Sequence, residues 1–192
     1  MSHQNLKKKY LIYKNIKMDD IVAFTLTGFM IGITMKLLKK RTSSENPNCV
    51  CVLDSFSSVK GYIIIQPLQN KQTKFVCHLN NLSPGKHGFH IHAKGDLRNE
   101  CTSTCSHYNP TNASHGGAKG GHRHKGDLGN VESDQNGNCQ DIIVADVETF
   151  EIVGRAIVIH ADEDDLGLGD NEESKKTGNA GKRIGCGIIG RI

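Results

Sequence analysis

The sequence predicts an all-β domain: an eight-stranded Greek-key barrel or sandwich carrying two long functional loops. Three observations point that way. Short runs rich in Val, Ile, Phe and Tyr recur between turns of Ser, Asn, Lys and Gly. No stretch of the body shows a helical apolar period. The 21 glycines and the absence of Trp suit many turns between strands better than packed helices.

The strands follow in order. Cys49–Leu53 opens the body, then 61–67, 73–79 and 87–92. After a long gap come 127–132 and 139–147, joined by an Asn136-Gly137 hairpin turn. Residues 152–160 set Val153, Arg155, Ile157 and Ile159 on one face against Ile152, Ala156 and Val158 on the other, and 184–189 closes the chain. Two polar stretches, 93–125 and 161–182, have no apolar period. Loops of that length in a compact domain are functional or count against the assignment. The histidines in the first favour function.

Charge divides the chain at its start. Residues 1–41 carry nine Lys/Arg and two Asp, while the rest carries 15 basic and 18 acidic residues and is mildly acidic. That balance excludes a nucleic-acid-binding body. Two units are therefore expected, an N-terminal extension over 1–47 and a main domain over 48–192. Residues 21–35 are uncharged and mostly apolar, and counting on to 38 gives eighteen with Lys36 snorkelling. The alternatives for this run are a membrane anchor over 21–38, a secretory signal, or neither, with translation starting at Met18, Met30 or Met35. A basic flank beside an apolar run favours a membrane surface.

Seven of the ten histidines lie between His87 and Asp127. Histidine is the commonest metal ligand. His90 and His92 alternate with Ile91 on a strand, so both rings point to one face and Ile91 points to the core. His160 ends another strand. His107, His115, His124 and Asp127 come from the loop and its exit. Imidazoles with one carboxylate suit zinc, and imidazoles also suit copper. His3, His78, His87 and His122 read as non-ligands. Cys49, Cys51, Cys77 and Cys139 sit in strand runs and read as core fillers. The odd count of seven cysteines excludes a simple disulfide scaffold.

Over 48–192 the chain resembles the copper,zinc superoxide dismutases. The motifs are Gly88-Phe89-His90-Ile91-His92, His107-Tyr108-Asn109-Pro110, His115-Gly116-Gly117 and Arg123-His124-Lys125-Gly126-Asp127-Leu128-Gly129-Asn130. They continue with Asp164-Asp165-Leu166-Gly167, Asn171-Glu172-Glu173-Ser174, Thr177-Gly178-Asn179-Ala180-Gly181 and Arg183 with Cys186-Gly187. The resemblance implies dismutation of superoxide to dioxygen and hydrogen peroxide by one-electron copper cycling. It implies copper on His90, His92, His107 and His160, and zinc on His107, His115, His124 and Asp127, with His107 as the bridge. Asp164 is expected behind His90 and His115. Cys101 and Cys186 are expected as the disulfide, with Cys105 as the alternative partner for Cys186. Arg183 is expected to hold the anion, with Lys175, Lys176, Glu172 and Glu173 shaping the approach in the second, electrostatic loop. A homodimer and a cytoplasmic location follow from the same likeness, unless the 21–38 run is used as an anchor or signal.

The departures carry expectations too. Cys105-Ser106 stand where the family usually has Gly-Pro. Asp162 adds negative charge near the approach. No Pro flanks Arg183, whose neighbours are Lys182 and Ile184, which resembles members that mature without a dedicated copper chaperone. The rival reading is a copper or zinc carrier without turnover.

Overall fold

The computed structural model of the chain describes residues 46–54, 58–118 and 121–192. The expectations for the basic extension and for the 21–38 run lie outside these residues. Among the described residues no helix is long and apolar enough to cross a membrane.

Among the described residues there are nine strands: β1 (Cys49–Leu53), β2 (Lys60–Pro67), β3 (Thr73–Asn80), β4 (Gly85–His92), β5 (Arg98–Cys101), β6 (Asp127–Ser133), β7 (Cys139–Ala145), β8 (Ala156–His160) and β9 (Arg183–Arg191). Eight of them form an antiparallel sheet in the order β6-β4-β8-β9-β1-β2-β3-β7. The first and last of that order, β6 and β7, lie against each other and bring the sheet round to a nearly closed barrel. The first three strands meander, and β4 then crosses to pair with β6 and β8. This is the expected all-β barrel.

Alternation sets which side chains face inward. On β1, Cys49, Cys51 and Leu53 are buried while Val52 is exposed. On β3, Thr73, Phe75, Cys77 and Leu79 are buried. Phe75 meets Phe89 edge to face at 6.0 Å, a favoured quadrupole geometry. Ile63, Ile65, Ile91, Ile157, Ile159 and Ile189 fill the same core. Cys49, Cys51, Cys77 and Cys139 pack there as free thiols, whereas free Cys105 is exposed. Burial pushes the Cys51 thiol up to about 12 and Cys139 up to about 11.

Two strands are shorter than expected. The 152–160 strand begins only at Ala156, because Thr149–Ile152 is a helical turn, α1. A capping box explains it: the Glu148 side chain accepts from the Glu151 backbone, and the Glu148 N–H donates to Glu151 Oε2 at 3.2 Å. Ile152 is buried from that turn, so it mimicked a strand residue. The 139–147 strand stops at Ala145, where the Val147 N–H donates back to the Ala145 carbonyl at 3.0 Å. The two polar stretches also contain short elements: β5, a 3-10 turn over Thr102–Thr104, and α2 over Ser174–Thr177. These lack an apolar period because side-chain and backbone hydrogen bonds, not a packed face, hold them.

Strands β4 and β8 are exceptions to one-sided burial. Every residue from His87 to His92 is buried, although only Phe89 and Ile91 belong to the core cluster. The other face of β4 is roofed by the loop that follows it.

Candidate metal centre

Strand β4 supplies His90 and His92 on its roofed face. Its neighbour β8 ends at His160, one step past a register shift between Ile159 and His160. A second shift lies between Gly88 and His90, where β4 pairs with β6. Bulges re-aim side chains. Here both lie beside imidazoles and turn them toward one another. His107 joins through an isolated bridge to His92.

The loop has no core of its own, so backbone hydrogen bonds fix it to β4. Tyr108 N–H donates to the Ile91 carbonyl, Ile91 N–H to Gly126, and Gly126 N–H to Tyr108, each at 2.8 Å. The three segments carrying His90/His92, His107 and His124/Asp127 are thereby knotted at one point. A Cβ on Gly126 would strike the Ile91 carbonyl, so glycine is required there.

Hydrogen bonds select one nitrogen of each ring as donor. His90 Nε2 lies 2.9 Å from Asp164 Oδ2, and His115 Nε2 lies 2.7 Å from Asp164 Oδ1. His92 Nδ1 faces the Cys105 carbonyl at 2.7 Å, and His160 Nδ1 faces the Gly181 carbonyl at 3.1 Å. The opposite nitrogens of three rings, His90 Nδ1, His92 Nε2 and His160 Nε2, are buried without a hydrogen-bond partner among the described residues. His115 Nδ1 instead lies 3.0 Å from Asp127 Oδ1. Orphaned buried polar atoms are costly. These converge, and the donor set suits a metal ion.

Two groups form. Ligand atoms of His90, His92, His107 and His160 lie within 4.8 Å of one another, as do those of His107, His115, His124 and Asp127. His107 belongs to both. Its Nδ1 lies 2.8 Å from Asp127 Oδ1 and 3.3 Å from His124 Nδ1. Four imidazoles suit copper, and three imidazoles with one carboxylate suit zinc.

Charge is arranged to match. Burial drives His90 and His92 well below the usual imidazole range and His160 down to about 4, keeping these rings neutral. Burial also disfavours the charged form of His115, but Asp127 and Asp164 flank that ring and raise it to about 9. Burial alone would raise Asp127. Hydrogen bonds from His107, His115 and His124 outweigh it and hold the carboxyl far below its ordinary range.

Supports beyond the expected residues also appear. The Asn130 side chain accepts from Asp164 N–H at 2.7 Å and donates to its carbonyl at 2.9 Å. Buried Arg123 Nη1 donates to the carbonyls of His124, Lys125 and Asp127, and its Nη2 donates to that of Asp146. Gly178, at φ 71°, leaves room where a Cβ would overlap Asp164 and come within 2.5 Å of His115 Nε2. The Lys175 carbonyl accepts from His115 N–H at 2.8 Å, joining the two loops. Only the glycines left a signal in the sequence, as isolated Gly in motif runs.

A pocket of about 360 Å³ opens onto His92, His107 and His160, with Arg183, Lys176 and Glu173 at its mouth. Lys175 and Glu172 are not brought there: the Lys175 ammonium turns back onto the Gly167 carbonyl, and Glu172 is exposed. Arg183 Nη1 donates to the carbonyls of Cys101 at 2.8 Å and Thr102 at 3.2 Å. Cys101 is bonded to Cys186, tying the first loop to β9, and Cys105 is left free. A larger groove of about 770 Å³ lies beside Tyr62 and His78, whose ring centroids are 5.0 Å apart at a 36° tilt. None of the residues in the two ligand groups lines it. His87 is occupied by the Ser83 and His160 carbonyls, and His122 is exposed.

Residues 59–189 match the family model described as copper/zinc superoxide dismutase (SODC). The chain is 43% identical over 176 residues to a superoxide dismutase [Cu-Zn] of Paramecium bursaria Chlorella virus 1, covering 85% of this chain and 94% of that protein. It is also similar to the crystal structure of the clock protein EA4: TM-score 0.72, 38% identity, 78% of this chain and 97% of that one.

The buried rings predict how the metal-free protein responds to pH. The depressed His160 pKa stabilises the fold above the unfolded value near 6.5, and that contribution is lost as pH falls toward about 4. The raised His115 pKa acts oppositely, with its contribution lost as pH rises through about 9. Thermal melting of chelator-treated protein should therefore show a maximum near pH 6 to 7, declining on both sides. A flat profile from pH 4 to 10 would refute it.

Proposed function

The chain belongs to the copper/zinc superoxide dismutase family, and from that premise we propose how its own residues carry the reaction. It is an oxidoreductase that uses copper and zinc to convert superoxide to dioxygen and hydrogen peroxide. The observation supporting the residue assignments is the pair of buried donor groups that share His107.

His90, His92, His107 and His160 would hold copper, and His107, His115, His124 and Asp127 would hold zinc. Bound copper would supply a one-electron couple that accepts an electron from one superoxide and returns it to the next, and zinc would supply fixed positive charge. Everything else is done by the chain. Asp164 keeps Nε2 of His90 and His115 as donors, so their Nδ1 atoms stay free to bind. Arg183 holds the substrate anion at the mouth, its guanidinium anchored on the Cys101 and Thr102 carbonyls. His107 lines the pocket and would pass to the product one of the two protons that hydrogen peroxide requires, solvent supplying the other. Lys176 and Glu173 shape the approach.

A homodimer is typical of the family. We assign it to the outer face of β1 and β9, where Val52 is 56% exposed and Ile188 43% exposed. The register Cys51↔Ile189 makes these two side chains neighbours. An apolar pair on a sheet face fits a self-complementary contact. We further assign the main domain to 48–192 and a membrane contact to residues 21–38.

Superoxide decay by the full chain, loaded with both metals, tests the assignment. His160→Ala should reduce decay to the level of metal-free protein, and an undiminished rate would remove His160 from the copper site. Slow decay by the unsubstituted, fully loaded chain would favour the carrier reading instead. Copper uptake should persist in cells lacking the copper chaperone, because no Pro flanks Arg183; no incorporation there rejects that part. In flotation with anionic vesicles, the full chain should rise with the lipid, and removal of 21–38 should abolish this; a full chain that stays behind ends the membrane reading.

A further inference from the structure

Two depressions meet at Arg183. One is the pocket above the imidazoles. The other, of about 490 Å³, lies over the disulfide and is lined by Glu100, Thr102, Lys182 and Arg183. Gly181 and Arg183 line both. An anion can therefore reach the guanidinium from two sides.

The charges on these sides differ. On the first, Lys176 faces Glu173, whose carboxylate accepts from Thr177 Oγ1 at 2.7 Å. On the second, the exposed Lys182 has no carboxylate of the described residues within ion-pair distance. Glu100 lines the same depression, and the Asp162 carboxylate lies against Gly181, where a Cβ would strike it. The backbone fixes this arrangement: Ala161 N–H donates to the Lys182 carbonyl at 2.8 Å and Asp162 N–H to the Ala180 carbonyl at 2.9 Å. Without Lys182, Glu100 in the depression and Asp162 beside Gly181 would repel an anion, with Arg183 alone to draw it in.

We propose that Lys182 is a substrate-steering residue, drawing superoxide to Arg183 from the disulfide side and offsetting Asp162 and Glu100. The proposal rests on the superoxide reading for its substrate. Steering by surface charge is a through-water effect, which salt screens, whereas direct contact is not screened in the same way.

The test uses the full chain loaded with copper and zinc. Lys182→Gln, Lys182→Glu and Asp162→Asn are compared with Lys60→Glu, a charge change on β2 outside both depressions. Superoxide decay is followed by pulse radiolysis at low and high ionic strength, and azide affinity by the visible band of bound copper. At low ionic strength Lys182→Gln should slow decay about two-fold and Lys182→Glu about four-fold, while Asp162→Asn speeds it about two-fold. Azide affinity should move in the same directions, and all differences should shrink toward one at high ionic strength. Lys182→Glu behaving like Lys60→Glu would sink the proposal, as would equal slowing at both ionic strengths. A chain that binds azide but does not dismutate superoxide would overturn the underlying reading instead, while the azide shifts would still place Lys182 on an anion's path.

Discussion

Six imidazoles and two carboxylates are buried together on one face of β4, and the rest of the structure is built under that constraint. Burying polar groups is costly unless each finds a partner. The chain answers by giving each of His90, His92 and His160 one hydrogen-bonded nitrogen and one converging lone pair, and by setting His115 between Asp127 and Asp164. The barrel supplies a rigid base for this, since β4 and β8 are laddered to the core on their other face. The loops that complete the roof add only Tyr108 and Leu97 to the apolar packing, so they depend on links that do not need a core: the Ile91–Tyr108–Gly126 knot, the Asp164 bridge, the Arg123 contacts and the disulfide.

This division explains why the two halves of the architecture differ in regularity. The strands follow period-two burial because water on one side and core on the other select it. The roof follows donor and acceptor positions. Asp164 shows the principle in a single residue. Its two oxygens meet rings from β4 and from the loop, its backbone is clamped by Asn130, and Gly178 must lack a side chain for it to fit.

Much of the fold was legible from alternation, which β1, β2 and β3 show clearly in the faces they bury. The misread boundary at 152–160 came from Ile152, which buries itself from a capped helical turn; apolar spacing alone does not separate that turn from a strand. Strand β5 and α2 carry no apolar period, and side-chain hydrogen bonds hold them. In the site, His90 and His92 were legible because a strand forces i and i+2 to one side. The carbonyls of Cys105 and Gly181 were not, since any residue type presents a carbonyl. The approach residues were legible only in part. Lys175 and Lys176 are adjacent on α2 and must point apart, and sequence does not say which faces the pocket. Lys182 looked like a mere neighbour of Arg183 until the second depression gave it a surface.

The distribution of thiols gives the chain a chemical handle. Two of its seven cysteines are bonded to each other, and four lie in the core, where burial raises their pKa and closes them to reagents. Cys105 is the single exposed thiol. Its carbonyl accepts from His92 Nδ1 at 2.7 Å, so a maleimide-linked spin label or fluorophore placed on its sulfur sits one residue's backbone away from a ring of the copper group. The native sequence is thus already a single-site labelling template, with the reporter positioned where loading and release of the ion can be watched without introducing or removing any cysteine.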